Sequence, residues 1–268
     1  MTTPGDTFDL GKASVNLKSA VAGEHVSIKY TYTTGHPVDD SGCIKVVFRF
    51  AGDFGTPQFS DPKGANYCTI TTSGDCRIEP RWDPKGNTRP WGRSLYLRIT
   101  GGYLDTGDTV TVLFGDTGRG SPGFRMQTFC EGTFELKTLV DPIATYQFKE
   151  LPASPVIRIK PGEPARAVCI APSQVRTNTR FPYFLKIEDR WGNPVAKPRK
   201  LNHSGFEAPG VYRLTKTDEK TGFEATSNPI LVGPGAGSPL HWWADFHGQS
   251  EETIGTNTIT DYFTFARD

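Results

Sequence analysis

Side chains that could bind a metal ion or catalyse a reaction crowd together in one stretch near the end of the chain. Asp245 and His247 lie two residues apart, and Gln249 follows at the same spacing. If residues 241–248 form a strand, these three side chains share a face, because successive residues of a strand alternate between faces. A carboxylate and an imidazole placed in this way can hold one divalent cation between them. The pattern therefore indicates the first ligands of a metal site that needs further ligands from elsewhere.

A nucleophilic triad is the rival chemistry for the same stretch. Ser250, His247 and Asp245 carry the necessary groups, but neighbouring positions on one short segment rarely reach triad geometry. The sequence also lacks the Gly-x-Ser-x-Gly turn that exposes a nucleophilic serine. An Asp–His pair can equally be a structural hydrogen bond. Among the catalytic interpretations we favour metal binding, with metal-bound water as the nucleophile.

The elements that must position this stretch are β-strands. In residues 1–140, apolar residues recur with period two, which is typical of strands with one buried face. The alternating positions are Val26, Ile28, Tyr30 and Tyr32; Ile44, Val46, Phe48 and Phe50; Leu95, Leu97 and Ile99; Val110, Val112 and Phe114; Phe134 and Leu136. With no helical stretch between them, these strands predict an antiparallel β-sandwich.

A second region, residues 141–236, repeats the pattern after the boundary signal Asp141-Pro142. Its alternating positions are Ile157 and Ile159; Val168 and Ile170; Tyr183, Leu185 and Ile187. A dense turn signal at residues 189–194 and late strands at 210–214 and 228–232 fit an immunoglobulin-like sandwich of about seven strands. Residues 237–268 form the third predicted domain, which begins in a Gly/Pro-rich linker at 233–239. After Gly255 the apolar residues recur at helical spacing. The pattern therefore predicts a strand, a polar loop and a helix in this domain.

Two loops in the first region are further candidate sites. Residues 79–93 combine Trp82 and Trp91 with arginines, a mixture that could stack a sugar or base, clamp an anion, or plug the end of the sandwich. Residues 115–123 are glycine-rich, but they lack the Gly-Lys-Ser/Thr ending of a phosphate-binding loop. Pro122 also removes a backbone donor where a helix should begin. We therefore predict a wide turn there.

Composition excludes several classes of function. The net charge of +1 on 268 residues argues against a nucleic-acid-binding surface. The sequence contains no run of about 18 apolar residues, so we predict no membrane span. The first residues lack the features of a signal peptide, which predicts a cytoplasmic protein. Five cysteines at irregular spacing favour buried thiols over a disulfide framework, although Cys68 and Cys76 flank a predicted turn and could face each other.

The segment from His241 to Asn257 resembles the opening of a bacterial family, the domain-of-unknown-function 3604 family, which is related to the PHP (polymerase and histidinol phosphatase) superfamily. The loop at 115–123 and the residues that follow it are similar to the β region that precedes that domain. PHP proteins begin with Asp-x-His-x-His at the end of the first strand of an α/β barrel. His247 matches the first histidine of the motif, whereas Gln249 replaces the second with a weaker, neutral ligand.

The resemblance implies a metal-dependent, phosphoesterase-like hydrolase in which Mn, Zn or Fe is held partly by Asp245, His247 and Gln249. Trp243, Ser250 and Glu251 are the candidate residues for binding a small-molecule substrate. On this interpretation the chain carries two β-sandwiches and the first βα unit of a barrel, is inactive as it stands, and packs against a missing C-terminal barrel domain. The alternative is a non-catalytic module that binds a carbohydrate or a protein partner.

Overall fold

The computed structural model describes residues 9–233, 244 and 247–267, which are mainly β-strand with one α-helix. The chain divides into two compact units. The first comprises residues up to 160 together with 249–258, and the second comprises residues 161–248 together with 259–268. No helix in the described ranges is long and apolar enough to cross a membrane. The prediction of a mainly β chain with largely antiparallel sheets is confirmed, although two of the described strand pairs are parallel.

From residue 9 onwards, the described part of the first unit has fourteen strands. They are β1 (Lys12–Val15), β2 (Ser19–Val21), β3 (His25–Val26), β4 (Ile28–Thr33), β5 (Cys43–Phe48), β6 (Cys68–Thr72), β7 (Arg77–Asp83), β8 (Arg93–Thr100), β9 (Thr109–Phe114), β10 (Phe124–Arg125), β11 (Glu131–Glu135), β12 (Lys137–Asp141), β13 (Lys149–Glu150) and β14 (Val156–Lys160). Two sheets dominate, a four-stranded one in the order β1-β4-β9-β6 and a five-stranded one in the order β13-β12-β5-β8-β7.

The core of the first unit lies between these two sheets. Alternate residues of β4, β8 and β9 are fully buried, as their period-two pattern predicts. The hydroxyl of Tyr30 in β4 lies 2.8 Å from that of Thr138 in β12, so that a hydrogen bond joins the two sheets inside the core. Strand β5 differs from the prediction, because all six of its residues are buried and it ends at Phe48, before Phe50. The outer side of β5 is covered in part by Phe148, whose ring lies 3.7 Å from Lys45 Nζ.

The first unit extends past the boundary that the sequence suggested at residue 141. Strand β13 pairs with β12, and β14 pairs with both β11 and β2, so strands on either side of Asp141 belong to the same sheets. Ile157 and Ile159 are therefore buried in the first core. The division between the compact units falls after Lys160.

In the described residues, the second unit has eight strands and a smaller core. They are β15 (Arg166–Ile170), β16 (Gln174–Arg176), β17 (Phe181–Glu188), β18 (Arg199–His203), β19 (Gly210–Tyr212), β20 (Thr215–Thr217), β21 (Glu224–Thr226) and β22 (Ile230–Gly233). They form sheets in the orders β15-β17-β18, β16-β22-β19 and β20-β21. Phe181, Tyr183 and Leu185 of β17 lie at the centre of this core.

Near the end of the chain, the predicted helix is confirmed, whereas the predicted strand stays a prediction. Helix α1 (Ile259–Arg267) is the helix expected after Gly255. In the predicted strand at 241–248, residues 241–243, 245 and 246 lie outside the described residues, and Ala244, His247 and Gly248 have no strand pairing. An α/β barrel stays a prediction, of which the described residues contain the helix alone.

Candidate functional site

The predicted metal ligands are described in part. His247 is exposed and belongs to the second compact unit, whereas Gln249 is exposed and belongs to the first. Asp245 and the candidate substrate-binding residue Trp243 lie outside the described residues. Across residues 9–233, 244 and 247–267, no three His, Cys, Asp or Glu side chains come close enough to hold a metal ion. The assignment of Asp245, His247 and Gln249 as ligands therefore stays a prediction.

The other two candidate substrate-binding residues form a turn. Ser250 is buried, its hydroxyl donates to the carboxylate of Glu252, and its carbonyl accepts the N–H groups of Thr253 at 3.1 Å and Gly255 at 3.0 Å. The N–H of Glu251 donates to the carbonyl of Asn257 at 2.8 Å. Residues 250–257 are thus a closed loop with its own hydrogen bonds, and we call residues 249–258 the anchored segment.

Arg49 holds the anchored segment on the first β unit. Its guanidinium donates to the carbonyl of Gly255 at 2.5 Å and to the carbonyl of Glu251 at 3.1 Å. Arg49 directly follows Phe48, the last residue of β5, so that a rigid core strand fixes its backbone. The guanidinium also lies over the ring of Trp91, 5.0 Å from the centroid, which restricts its side chain further. A cation on a fixed stem is well suited to bind two carbonyl groups of a loop.

Asn257 supplies a second attachment. Its side-chain Oδ1 accepts the N–H of Gly132 at 3.1 Å, and its Nδ2 donates to the carbonyl of Cys130 at 3.0 Å. Its φ of 59° lies in the left-handed region, where asparagine is more readily accepted than most residues. Thr133 Oγ1 adds a 3.3 Å hydrogen bond to the Glu251 carboxylate. Side chains and backbone of β11 and its preceding loop thus hold both ends of the turn.

A buried acid, Glu131, and a half-buried one, Glu135, lie close to this attachment. Gln127 Nε2 donates to Glu131 Oε2 at 2.7 Å and to the carbonyl of Phe129 at 3.1 Å. Burial raises the pKa of Glu131, and the Gln127 hydrogen bond and the Arg49 charge offset only part of this rise. Burial likewise raises the pKa of Glu135. The anchored segment is therefore held beside carboxyl groups that take up protons more readily than exposed ones.

The tryptophan–arginine loop separates into two environments. The ring of Trp91 is covered by Arg49 at 5.0 Å and by Lys137 at 4.7 Å. Trp82 packs against Phe48 and Phe54 on one side and lines an open cleft of about 270 Å³ on the other. The sequence left stacking and plugging open for both residues. In the structure, Trp91 is covered by cations, and Trp82 both packs in the core and borders the cleft.

The glycine-rich loop is a turn, as predicted. Asp116 Oδ1 accepts the N–H of Gly118 at 2.9 Å and caps a short 3₁₀-helix (Thr117–Arg119), and its Oδ2 accepts the hydroxyl of Thr69 at 2.8 Å. Gly115 has a φ of 71°, and a Cβ added there would lie 2.2 Å from the backbone N of Phe124. Backbone packing therefore explains that glycine. All five cysteines are free thiols, so Cys68 and Cys76 are not bonded.

Sequence reasoning missed Arg49 and Asn257, the residues that anchor the segment. Arg49 interrupts an apolar run at a strand end, and such an arginine is normally assigned to solvent. Asn257 follows Gly255-Thr256 in a polar loop, where asparagine signals a turn but not its partner. Their partners lie about 120 to 200 residues away along the chain, beyond the reach of local patterns.

Comparisons with known proteins do not assign the chain to a family. No model of a known protein family and no curated protein matches the sequence. Among solved structures, the chain is similar to the CBM3a-L domain with flanking linkers from the scaffoldin cipA of the Clostridium thermocellum cellulosome, at 11% identity and a TM-score of 0.28, covering 54% of this chain and 96% of that one. It is also similar to the type II cohesin dyad of the adaptor ScaA scaffoldin of Acetivibrio cellulolyticus, at 14% identity and a TM-score of 0.28, covering 79% of this chain and 64% of that one. These TM-scores are too low to transfer a fold or a function.

Proposed function

We propose that this chain is the accessory β region and opening metal-binding motif of a metal-dependent, phosphoesterase-like hydrolase. The sequence motif Asp245-x-His247-x-Gln249 motivates the class of enzyme. The observation that carries the accessory role is the attachment of residues 249–258 to the first unit by Arg49 and Asn257. The residue that ends the motif is thus also the first residue of a segment held on a β framework.

Such an attachment is useful to a metal site. Ligands must be held within a fraction of an ångström of their working positions, and supporting hydrogen bonds provide this restraint. The bonds from Arg49 are charge-assisted, and such bonds are stronger than those between neutral groups. We therefore assign the first unit the task of orienting the loop that follows the motif.

The donor set suits a borderline divalent ion. An imidazole, a carboxylate and an amide oxygen are ligands that Zn, Mn and Fe accept, and Gln249, being neutral, contributes less than a histidine would. His247 and Gln249 are exposed, which leaves their side chains accessible to an ion and to ligands from a further domain. When bound, such an ion activates water for hydrolysis of an ester.

Helix α1 supports the proposal of a further packed domain. Ile259, Phe263 and Phe265 are 50%, 63% and 57% exposed, so that the helix presents large apolar side chains to solvent. Ile259 and Phe263 lie four residues apart and therefore share one face of the helix, and exposed apolar residues grouped in this way are typical of a contact site. We propose that the catalytic barrel covers this helix.

The test is the metal content of the purified natural gene product that carries this chain. We expect stoichiometric Mn, Zn or Fe, lost on His247→Ala and retained in the matched control His25→Ala, an exposed histidine of β3. Retention in Gln249→His would agree with a ligand position there. A protein without stoichiometric metal, or with metal unchanged by His247→Ala, would contradict the proposal.

The second candidate function is a binding module for a carbohydrate or protein partner. The observation that favours it is the open cleft beside Trp82 in the first unit. Both functions can exist in one protein, because the cleft residues and the metal motif share no side chain.

A further inference from the structure

The cleft beside Trp82 combines aromatic walls with two opposite charges. It is lined by Asp53, Phe54, Thr56, Trp82, Pro84 and Arg93, and its volume is about 270 Å³. That volume is slightly below the roughly 300–1,000 Å³ of typical small-molecule sites, which suits one ring of a ligand rather than a whole drug-sized molecule. All six residues belong to the first unit.

Strand register explains why an arginine lies in this position. Trp82 of β7 is paired with Leu95 of β8, and Arg93 is two residues before Leu95, so the three side chains point to the same, core-facing side of the sheet. Arg93 of β8 lies directly opposite Phe48 in the neighbouring strand β5. The strands end here, and the core opens into the cleft. Arg93 is thus a charged residue at a core-facing position on the rim.

The guanidinium of Arg93 is positioned by an aromatic ring, but its hydrogen-bond donors are unused in the described part of the chain. It lies over the ring of Phe54, 5.1 Å from the centroid, and burial lowers its pKa while the charge of Asp53 opposes this. In the described part of the chain, the Arg93 side chain donates no hydrogen bond. A partly desolvated guanidinium with free donors is a recognition group, because a ligand oxygen restores the hydrogen bonds that burial removed.

Asp53 supplies acceptors beside these donors. Its carboxylate is fixed by Thr128, through the backbone N–H at 2.8 Å and the hydroxyl at 2.7 Å, and it is exposed. Each carboxylate oxygen has two lone pairs, so both can still accept a further hydrogen bond. Asp53 Oδ2 also lies 4.0 Å from Arg125 Nη1, an ion pair that offsets part of its negative charge. The remaining charge disfavours an acidic ligand near Arg93.

We propose that this cleft binds one ring of a neutral hexose oligosaccharide. The apolar face of the sugar packs on Trp82, one ring hydroxyl donates to Asp53, and a neighbouring hydroxyl accepts from Arg93. This arrangement uses each wall of the cleft, whereas an aromatic ligand would leave the donors of Arg93 unused and a carboxylate would lie beside Asp53. The inference specifies the second candidate function and stands independently of the metal centre.

Isothermal titration of the 268-residue chain tests the proposal. The probes are cellohexaose, maltohexaose and mannohexaose as neutral ligands and a galacturonate hexamer as the acidic one. We expect at least one neutral probe to bind with a Kd of about 1 mM or lower, and Arg93→Gln to weaken binding about tenfold or more. The matched control is Arg89→Gln, since Arg89 also lies over a phenylalanine ring, that of Phe50, but outside the cleft.

Two further variants keep the test decisive if Arg93→Gln fails to fold. Trp82→Phe retains an aromatic ring in the core and should weaken binding, whereas Trp91→Phe should not. Asp53→Asn should weaken the neutral probe as well. Thermal unfolding of each variant checks that the fold is intact. The proposal is overturned if no neutral probe binds, if the galacturonate hexamer alone binds, or if folded cleft variants bind like the parent chain.

Discussion

The two compact units differ in the size of their apolar cores. In the described residues, the first unit has a core cluster of 27 buried apolar residues, whereas the second has a cluster of 10. Both units also bury charged side chains: Lys45, Glu131 and Asp141 in the first, and Lys186, Glu188, Asp189 and Asp218 in the second. In the second unit, Lys186 lies 3.1 Å from Glu188, and the exposed Arg199 lies 2.7 Å from the buried Asp218. The contrast is between a large apolar core and a smaller one, in which buried charged groups make up a larger share of the interior.

This difference bears on where binding can be located. Positions that recognise a ligand or a loop must be held rigidly, and a close-packed core provides this rigidity. Arg49, Asp53 and Arg93 all lie at or near strand ends beside Phe48 and Phe54. We therefore place both proposed recognition tasks on the first unit.

The largest effect is expected from removing an aromatic side chain at the centre of the first core. Phe48 is 1% exposed and lies 5.0 to 6.2 Å from the rings of four other aromatic residues. Phe48→Ala should lower the free energy of unfolding of the first unit by about 4 kcal/mol, because it leaves a cavity in a packed core. Denaturant unfolding measures the loss, with the exposed Tyr103→Ala as control. A loss below about 1 kcal/mol would contradict an aromatic-centred core.

A smaller effect tests the buried charged groups of the second unit. Asp189 accepts hydrogen bonds from Gly162, Trp191 and Asn193; burial raises the pKa of its carboxyl, but these bonds outweigh burial and lower it overall. Because the unfolded chain then binds a proton first, this stabilisation is complete above pH about 3.9 and is lost as pH falls through the lower folded value. Asp189→Ala should cost the second unit roughly 2 to 3 kcal/mol at neutral pH. Glu207→Ala, an exposed acid of the same unit, is the control.

Glu131 in the first unit should show the opposite pH dependence. Since burial raises the pKa of Glu131, its contribution is most favourable below pH about 4.3 and declines as pH rises through the folded value. Glu131→Gln should flatten this decline, whereas Asp189→Asn should flatten the acid loss of the second unit. Unfolding free energies measured from pH 3 to about pH 7 compare the two slopes. Slopes of the same sign for both residues would contradict the contrast.

The strands of the first core could be predicted from sequence because their apolar residues alternate strictly. Tyr30 and Leu97 are buried as their spacing predicts. Strand β15 was less predictable, because it has apolar residues on both sides, and Cys169 is buried rather than Val168 or Ile170. The pairing of β14 with β2 is parallel and joins residues about 140 apart, which no local pattern encodes.

The candidate metal ligands could be predicted from the sequence, but the residues that anchor the neighbouring segment could not. Asp245, His247 and Gln249 stand out by type and spacing, and they stay predictions. The attachments by Arg49 and Asn257 depend on backbone carbonyls and N–H groups, which every residue carries, so no residue type marks the partner. Arg93 similarly looks like a surface arginine until the register places it on the core side.

Hydrogen exchange in the anchored segment tests the central claim most directly. The N–H groups of Glu251, Thr253 and Gly255 donate within the turn that Arg49 holds. We predict slow exchange at these three positions in the parent chain and faster exchange in Arg49→Gln, with no change in Arg89→Gln. Fast exchange in the parent chain, or equal protection in Arg49→Gln, would contradict the claim that the first β unit holds the loop that follows the metal-binding motif.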